Sequence, residues 1–217
     1  MEKCVILDFI KNKCQKKKSN YHHGNLKEEL LEQAVQLIHE KGVDALTLQV
    51  LASKLGTSRS AIYRHFSSKN ELMHNVILYG FSMFDETISP IFDQKDESVE
   101  KRLYLMGKEY IKFALEHPNL YRMLFGEKFQ DIREDGCDIE DEEQATGFHA
   151  LIALLIEGQE KKEFRVQNPM SQAQTIHAMV HGLSSLCIDG HIHFSDKIDD
   201  LFEVYFKTMT QGLLIRQ

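Results

Sequence analysis

The sequence predicts an all-α fold. Apolar residues recur at spacings of three and four along most of the 217-residue chain, and no stretch alternates with a period of two. Glycines, prolines and acidic runs interrupt the helical pattern, and no internal repeat is present. With 42% hydrophobic residues the chain can bury a substantial core as one large or two small domains. Charge is divided unevenly: residues 1–80 hold 12 Lys plus Arg against 8 Asp plus Glu, a net of +4, whereas 81–217 hold 14 against 25, a net of −11. An acidic whole argues against indiscriminate polyanion binding, while a locally positive N-terminal part suits docking on a duplex by one face.

Residues 1–20 form a basic extension. The apolar run CVILDFI is too short to span a bilayer and precedes its lysines, so neither a membrane span nor a signal peptide is expected, and the location expected is cytoplasmic. Lys11, Lys13, Lys16, Lys17 and Lys18 suit either a disordered solvated tail or an arm following DNA phosphates. Cys4, Cys14, Cys137 and Cys187 have no CxxC spacing and read as free thiols in a reducing compartment.

The segment TLQVLASKLGTSRSAIYRHF, Thr47 to Phe66, reads as two short helices joined by a tight turn. Thr47 is placed to cap the first helix, whose stripe is expected to be Val50, Leu51 and Leu55 with Ala52 between them. Gly56 stops that helix, because glycine adopts left-handed backbone without a Cβ penalty, and Ser58 caps the next. Ile62 and Phe66 then face inward, leaving Arg59, Ser60, Tyr63 and Arg64 outside. A helix-turn-helix sets such a second helix in the major groove, first residues nearest the bases. Arg59, Ser60 and Ala61 are therefore the expected base readers: Arg59 for guanine, the Ala61 methyl for thymine. Tyr63 and Lys69 are better placed for phosphates.

Together with NLKEELLEQAVQLIHEKGVDALTL before it and SSKNELMHNVI after it, this segment resembles the TetR family of bacterial transcriptional regulators over about Tyr21 to Val76. The resemblance implies a first helix from about Asn25 to Lys41 ending at Gly42. It implies phosphate or framework contacts for Tyr63, His65 and Lys69, and operator choice for Gln49, Arg59 and Ser60. With Thr47, Thr57, Ser58, Ala61 and Arg64, these make up the expected DNA-binding set. The expected domains are 21–68 for the helix-turn-helix and 69–217 for effector binding and dimerisation.

Beyond Val76 a helix is expected from Lys69 toward Ile88, ending before Ser89-Pro90 because the residue before proline disfavours helical backbone. Others are expected over about Ser98–Glu116, Asn119–Gly126 with Leu120, Leu124 and Phe125 inward, Glu143–Lys162, Met170–Asp189 and Lys197–Leu214. The acid-rich DIREDGCDIEDEEQ reads as a mobile loop.

This part resembles a TetR subgroup with a Trp-His-Gly signature, through His181-Gly182 and the stretch from His117-Pro118 to Phe125. His177 stands where many relatives carry the tryptophan, and the chain has no Trp. The resemblance implies a homodimer whose last two long helices form a four-helix bundle. Ala173, Ile176, Val180, Leu183 and Leu186, the small residues Ala178, Gly182 and Ser185, and Leu201, Val204, Tyr205, Thr208, Gln211 and Leu214 suit that interface, and equally suit a monomer core.

The expected function is a repressor released from a palindromic double-stranded operator by a small-molecule effector. Effector-pocket candidates are Tyr110, Phe113, Tyr121, Phe148, Ile152 and His181, with Met123, Ile156 and Cys187 near them in the helical pattern. No cofactor and no resident metal are expected. The alternative is a metal-sensing or other helical binding module using His177, His181 and Cys187. No nucleophile elbow, phosphate loop or dinucleotide fingerprint is present, so no enzyme is expected.

Overall fold

The computed structural model describes residues 26–134, 146–192 and 198–211. The basic extension, residues 135–145 of the acidic segment and Leu214 lie outside them. The helices are α1 (Leu26–Lys41), α2 (Leu48–Lys54), α3 (Arg59–Tyr63), α4 (Lys69–Phe92), α5 (Val99–Glu116), α6 (Pro118–Phe125), α7 (Gln130–Glu134), α8 (Thr146–Glu160), α9 (Pro169–Ile188) and α10 (Ile198–Thr210). Single 3₁₀ turns occupy Val43–Ala45 and Glu127–Phe129. The fold is all-α, with no strand among the described residues.

Packing separates two compact units among the described residues, one holding 26–84 and 116–134, the other 85–115, 146–192 and 198–211. In the first, α1 buries Leu30, Ala34, Leu37 and Ile38 along one stripe, against α2 and α6. Leu48, Leu51, Ile62, Phe66, Leu72, Val76 and Ile77 continue this core. Gly80 lets α6 close onto α4: a Cβ there would stand 2.9 Å from Leu124 Cδ2 and 3.0 Å from Leu120 Cδ1. The C-terminal end of α1 is tied down by the Asn119 amide, which donates to the Ile38 carbonyl at 3.1 Å. The compact unit containing the helix-turn-helix also takes in α6 and α7.

In the second unit α8 and α9 pack on each other as a hairpin. Phe164, fully buried in the connection, fills the space beside Gly158, where a Cβ would lie 2.4 Å from its ring. Asn168 caps α9, accepting from the Ser171 N–H at 3.0 Å. Arg102 on α5 is completely buried, donating to the Phe92 carbonyl at 3.0 Å and pairing with Glu157 of α8. Lys161 and Lys95 join the same carboxylate at 2.9 and 3.4 Å. Phe202 and Phe206 of α10 pack against Tyr104 with ring centroids 5.2 and 5.1 Å away.

Four expectations are corrected. Helix α4 does not end before Ser89-Pro90 but runs through Pro90 to Phe92. Ser89, Pro90 and Glu86 are exposed, so water can reach the carbonyl that proline leaves without a donor, while buried Ile91 anchors the last turn. Residues 131–134 of the supposed loop are helical, held where His74 Nδ1 meets the Ile132 carbonyl at 3.1 Å. Val50 is 39% exposed, because the inward stripe of α2 is Leu48, Leu51 and Ala52, and position 50 falls outside it. On α6, Tyr121 and Met123 are buried with Leu120 and Leu124, whereas Phe125 is only half-buried beside Phe81, Phe84 and Tyr121. Such a short helix packed on several neighbours has no single inner face.

Candidate nucleic-acid interface

The two short helices are built by side-chain caps. Thr47 Oγ1 accepts from the Val50 N–H at 3.1 Å, and Ser58 Oγ accepts from the Ala61 N–H at 3.2 Å, both from extended backbone. Between them Gly56 takes φ +61°, and the Thr57 N–H reaches the Ala52 carbonyl at 2.9 Å. That closure satisfies a free carbonyl at the end of α2 and turns the chain. Ile62 and Phe66, both fully buried, fix the rotation of α3.

The outward face follows from that rotation. Arg59, Ser60, Tyr63 and Arg64 are exposed, Tyr63 to 53%. Gln49 and Thr47 are exposed on the α2 side and Lys69 at the start of α4, while Thr57, Ala61 and His65 are half-buried. The Ser60 hydroxyl lies 2.8 Å from that of Ser58, so the second residue of α3 is oriented by the cap. Two guanidinium groups and a phenol are thus exposed on α3, with an amide on α2 and an ammonium at the start of α4, a chemistry that suits phosphate oxygens and base edges.

The sequence reading missed the device that places Lys69. Ser68 Oγ accepts from the Glu71 N–H at 3.1 Å, and the Glu71 carboxylate accepts from both the N–H and the hydroxyl of Ser67 at 2.6 Å. The Ser67 hydroxyl and then its N–H hold the Glu71 carboxyl below its ordinary value, slight burial opposes them, and the Lys27 charge assists. This is a variant of the capping box in which Ser68 caps the helix and the glutamate returns to the residue before it, and the Ser-x-x-Glu spacing from Ser68 to Glu71 was its signal.

The effector candidates divide between the units. Tyr110, Phe113, Phe148, Ile152 and His181 belong to the second; Tyr121 belongs to the first, where its ring centroid lies 4.8 Å from that of Phe125. His177 draws the second group together, 5.9 Å from Tyr110, 5.8 Å from Phe148 and 5.9 Å from His181 between ring centroids. Burial, then the neighbouring His181 charge, lowers the His177 pKa; burial alone lowers that of His181.

The metal-site alternative is corrected by this geometry. Position 187 lies well around the helix from 177 and 181, and its thiol donates to the Leu183 carbonyl at 2.7 Å. Burial pushes that thiol up to about 11, against a smaller opposing backbone hydrogen bond, which disfavours the ligating thiolate. Among the described residues no three His, Cys, Asp or Glu side chains converge on a possible ion site. No described helix is long and apolar enough to cross a membrane.

Comparison with known proteins agrees with the geometry. Residues 30–76 match the family model described as bacterial regulatory proteins, tetR family, and residues 103–209 match the tetracyclin repressor-like C-terminal domain. The nucleoid occlusion factor SlmA of Vibrio cholerae serotype O1 is 30% identical over 103 residues, 47% of this chain and 52% of that protein. The chain thus spans about half the length of the curated relatives it matches. A protein of unknown function from Rhodococcus sp. RHA1 superposes with a TM-score of 0.76 at 22% identity, over 91% of this chain and 100% of that one. The TetR family transcriptional regulator PfmR from Thermus thermophilus gives 0.60 at 21% identity, over 86% and 99%. These two likenesses establish the fold, and the two family matches establish the lineage. The chain belongs to the TetR family of DNA-binding transcriptional regulators.

Proposed function

We propose that this regulator is a repressor that binds a palindromic operator as a homodimer and is released by a small-molecule effector, with residues 21–68 docking on DNA and 69–217 serving effector binding and dimerisation. The observation that carries the reading is the doubly capped helix pair, which turns Arg59, Ser60, Tyr63 and Arg64 outward by burying Ile62 and Phe66 completely. In this reading Arg59 and Ser60 read bases with Gln49, while Tyr63, His65 and Lys69 hold phosphates.

A single five-residue α3 offers few base contacts, so two-fold pairing on half-sites about 34–36 Å apart supplies the rest of the specificity. Support for pairing comes from α9 and α10: Leu186 is 44% and Val204 64% exposed, and a Cβ on Gly182 would meet nothing within 4 Å. Apolar and small surface of that kind suits a helical bundle between two copies. The aromatic and imidazole group around His177 supports an effector site in the second unit, lined by Tyr110, Phe148, Ile152 and His181. An effector acts through its differential affinity for the DNA-competent and incompetent states.

The test is fluorescence anisotropy on the DNA upstream of the protein's own gene, over a range of salt. Arg59→Ala and Tyr63→Ala should each weaken binding by roughly 1–3 kcal/mol, and wild-type affinity should fall steeply as salt rises. Salt-insensitive binding, untouched by both substitutions, rejects the reading.

A further inference from the structure

The unit that carries the helix-turn-helix also contains a cleft away from Arg59 and Tyr63. One wall is the stripe Glu32, Val35 and His39 of α1, three and four residues apart; the other is Tyr79 and Met83 of α4, and His117 closes one end. Its volume is about 280 Å³. That is room for a ligand of roughly ten to fifteen non-hydrogen atoms. Val35 is buried and forms the floor, Tyr79, Met83 and His117 are half-buried, and Glu32 is exposed at the mouth.

Three features of this lining select a ligand class. The carboxylate of Glu32 is the one formal charge on the walls, and among the described residues it is engaged in no ion pair. Beside the Val35 side chain and the Gln36 amide, which donates to Glu40 at 2.9 Å, the remaining surface is ring and thioether: the His39 and His117 rings meet edge to face with centroids 5.9 Å apart, and Tyr79 and Met83 stand one helical turn apart on α4. Aromatic faces and a polarisable sulfur attract a desolvated cation or the edge of a ring, and a carboxylate at the rim adds charge complementarity. An anion would instead meet Glu32, with no lysine or arginine among the lining residues to balance it.

We propose that this open cleft between α1 and α4 is a binding site for small organic monocations bearing an aromatic ring, with Glu32 pairing the charge and Tyr79, Met83, His39 and His117 flanking the ring. Burial, opposed by the charge of Glu116 and aided to a smaller degree by His39, biases His117 toward its neutral form. The site does not depend on the DNA-binding reading, since every lining residue belongs to α1, α4 or the cap of α6.

The probe is phenyltrimethylammonium, titrated at pH 8 into the full-length protein labelled at methionine methyl groups, with the Met83 resonance assigned through Met83→Leu. A saturable shift of the Met83 methyl is expected, together with much weaker effects from benzyl alcohol and benzoate of similar size. Glu32→Gln should weaken binding roughly threefold or more, while Glu29→Gln, an exposed acid outside the cleft on the same helix, should leave it unchanged. No saturable Met83 shift overturns the proposal. So does equal binding of benzyl alcohol, or equal affinity in the well-folded Glu32→Gln protein, because the cleft would then be an unselective apolar groove.

Discussion

The unit of the helix-turn-helix and the unit built on α5, α8, α9 and α10 reach order by different means. In the first, two helices of seven and five residues would be marginal alone, and each is started by a side-chain oxygen and joined at one glycine. Their determinants lie within three residues of the backbone they organise. In the second, helices of eighteen, fifteen and twenty residues are held by partners far apart in sequence: Arg102 with Glu157, the Val99 N–H with the Glu163 carboxylate, Tyr104 against Phe202. Local devices aim a surface, and distant ones hold a core.

That contrast can be broken by substitution. The largest expected effect is Phe164→Ala, about 3–5 kcal/mol of lost stability in urea unfolding, since the ring is fully buried and its loss leaves a cavity beside Gly158. Next is Glu157→Gln, about 3 kcal/mol, because it strands the guanidinium of Arg102 in a site with no exposure. This pair also sets a pH window. Burial pushes the Glu157 carboxyl up, but hydrogen bonds from Arg102 and Lys161 and the charges of Lys95 and Arg102 outweigh it and hold it at about 2. A carboxyl depressed in the folded state contributes stability above its unfolded value, and that contribution drains as pH falls from the ordinary carboxylate range toward 2. Glu157→Gln should therefore flatten the acid limb of a stability profile measured by thermal unfolding. The smallest effect is Ser58→Ala, about 1 kcal/mol in stability. Its larger consequence should be weaker DNA binding, since the same hydroxyl orients Ser60. A cap substitution costing more than Phe164→Ala would erase the distinction between the two units.

The same distinction explains what was legible in the sequence. Thr47, Gly56, Ser58, Ile62 and Phe66 stand as their neighbours in the chain dictate, and each does in the structure what spacing implies. The paired caps formed by Ser67, Ser68 and Glu71 were equally local and equally readable. The fold class and the end of α5 at His117-Pro118 were visible for similar reasons. What escaped was set at a distance. Arg102 reads as a surface cation until Glu157, fifty-five residues later, is packed against it. The membership of α6 in the first unit depends on Gly80 and Ile38, and Pro90 stays helical because water is available at Glu86 and the following turn is anchored. The DNA-facing candidates were legible where one helix face carried them; in the second unit Tyr110, Phe148 and His181 were named, but not that His177 would join rings from three helices.

Gly56 carries a consequence beyond its turn. Its φ of +61° is strained for any L-residue, although a side chain there would meet nothing within 4 Å. The requirement at this position is therefore one of handedness and not of room: a mirror-image residue would find that backbone relaxed. The direction in which Arg59 points thus rests on the chirality of a single α-carbon, at the one residue type that has none.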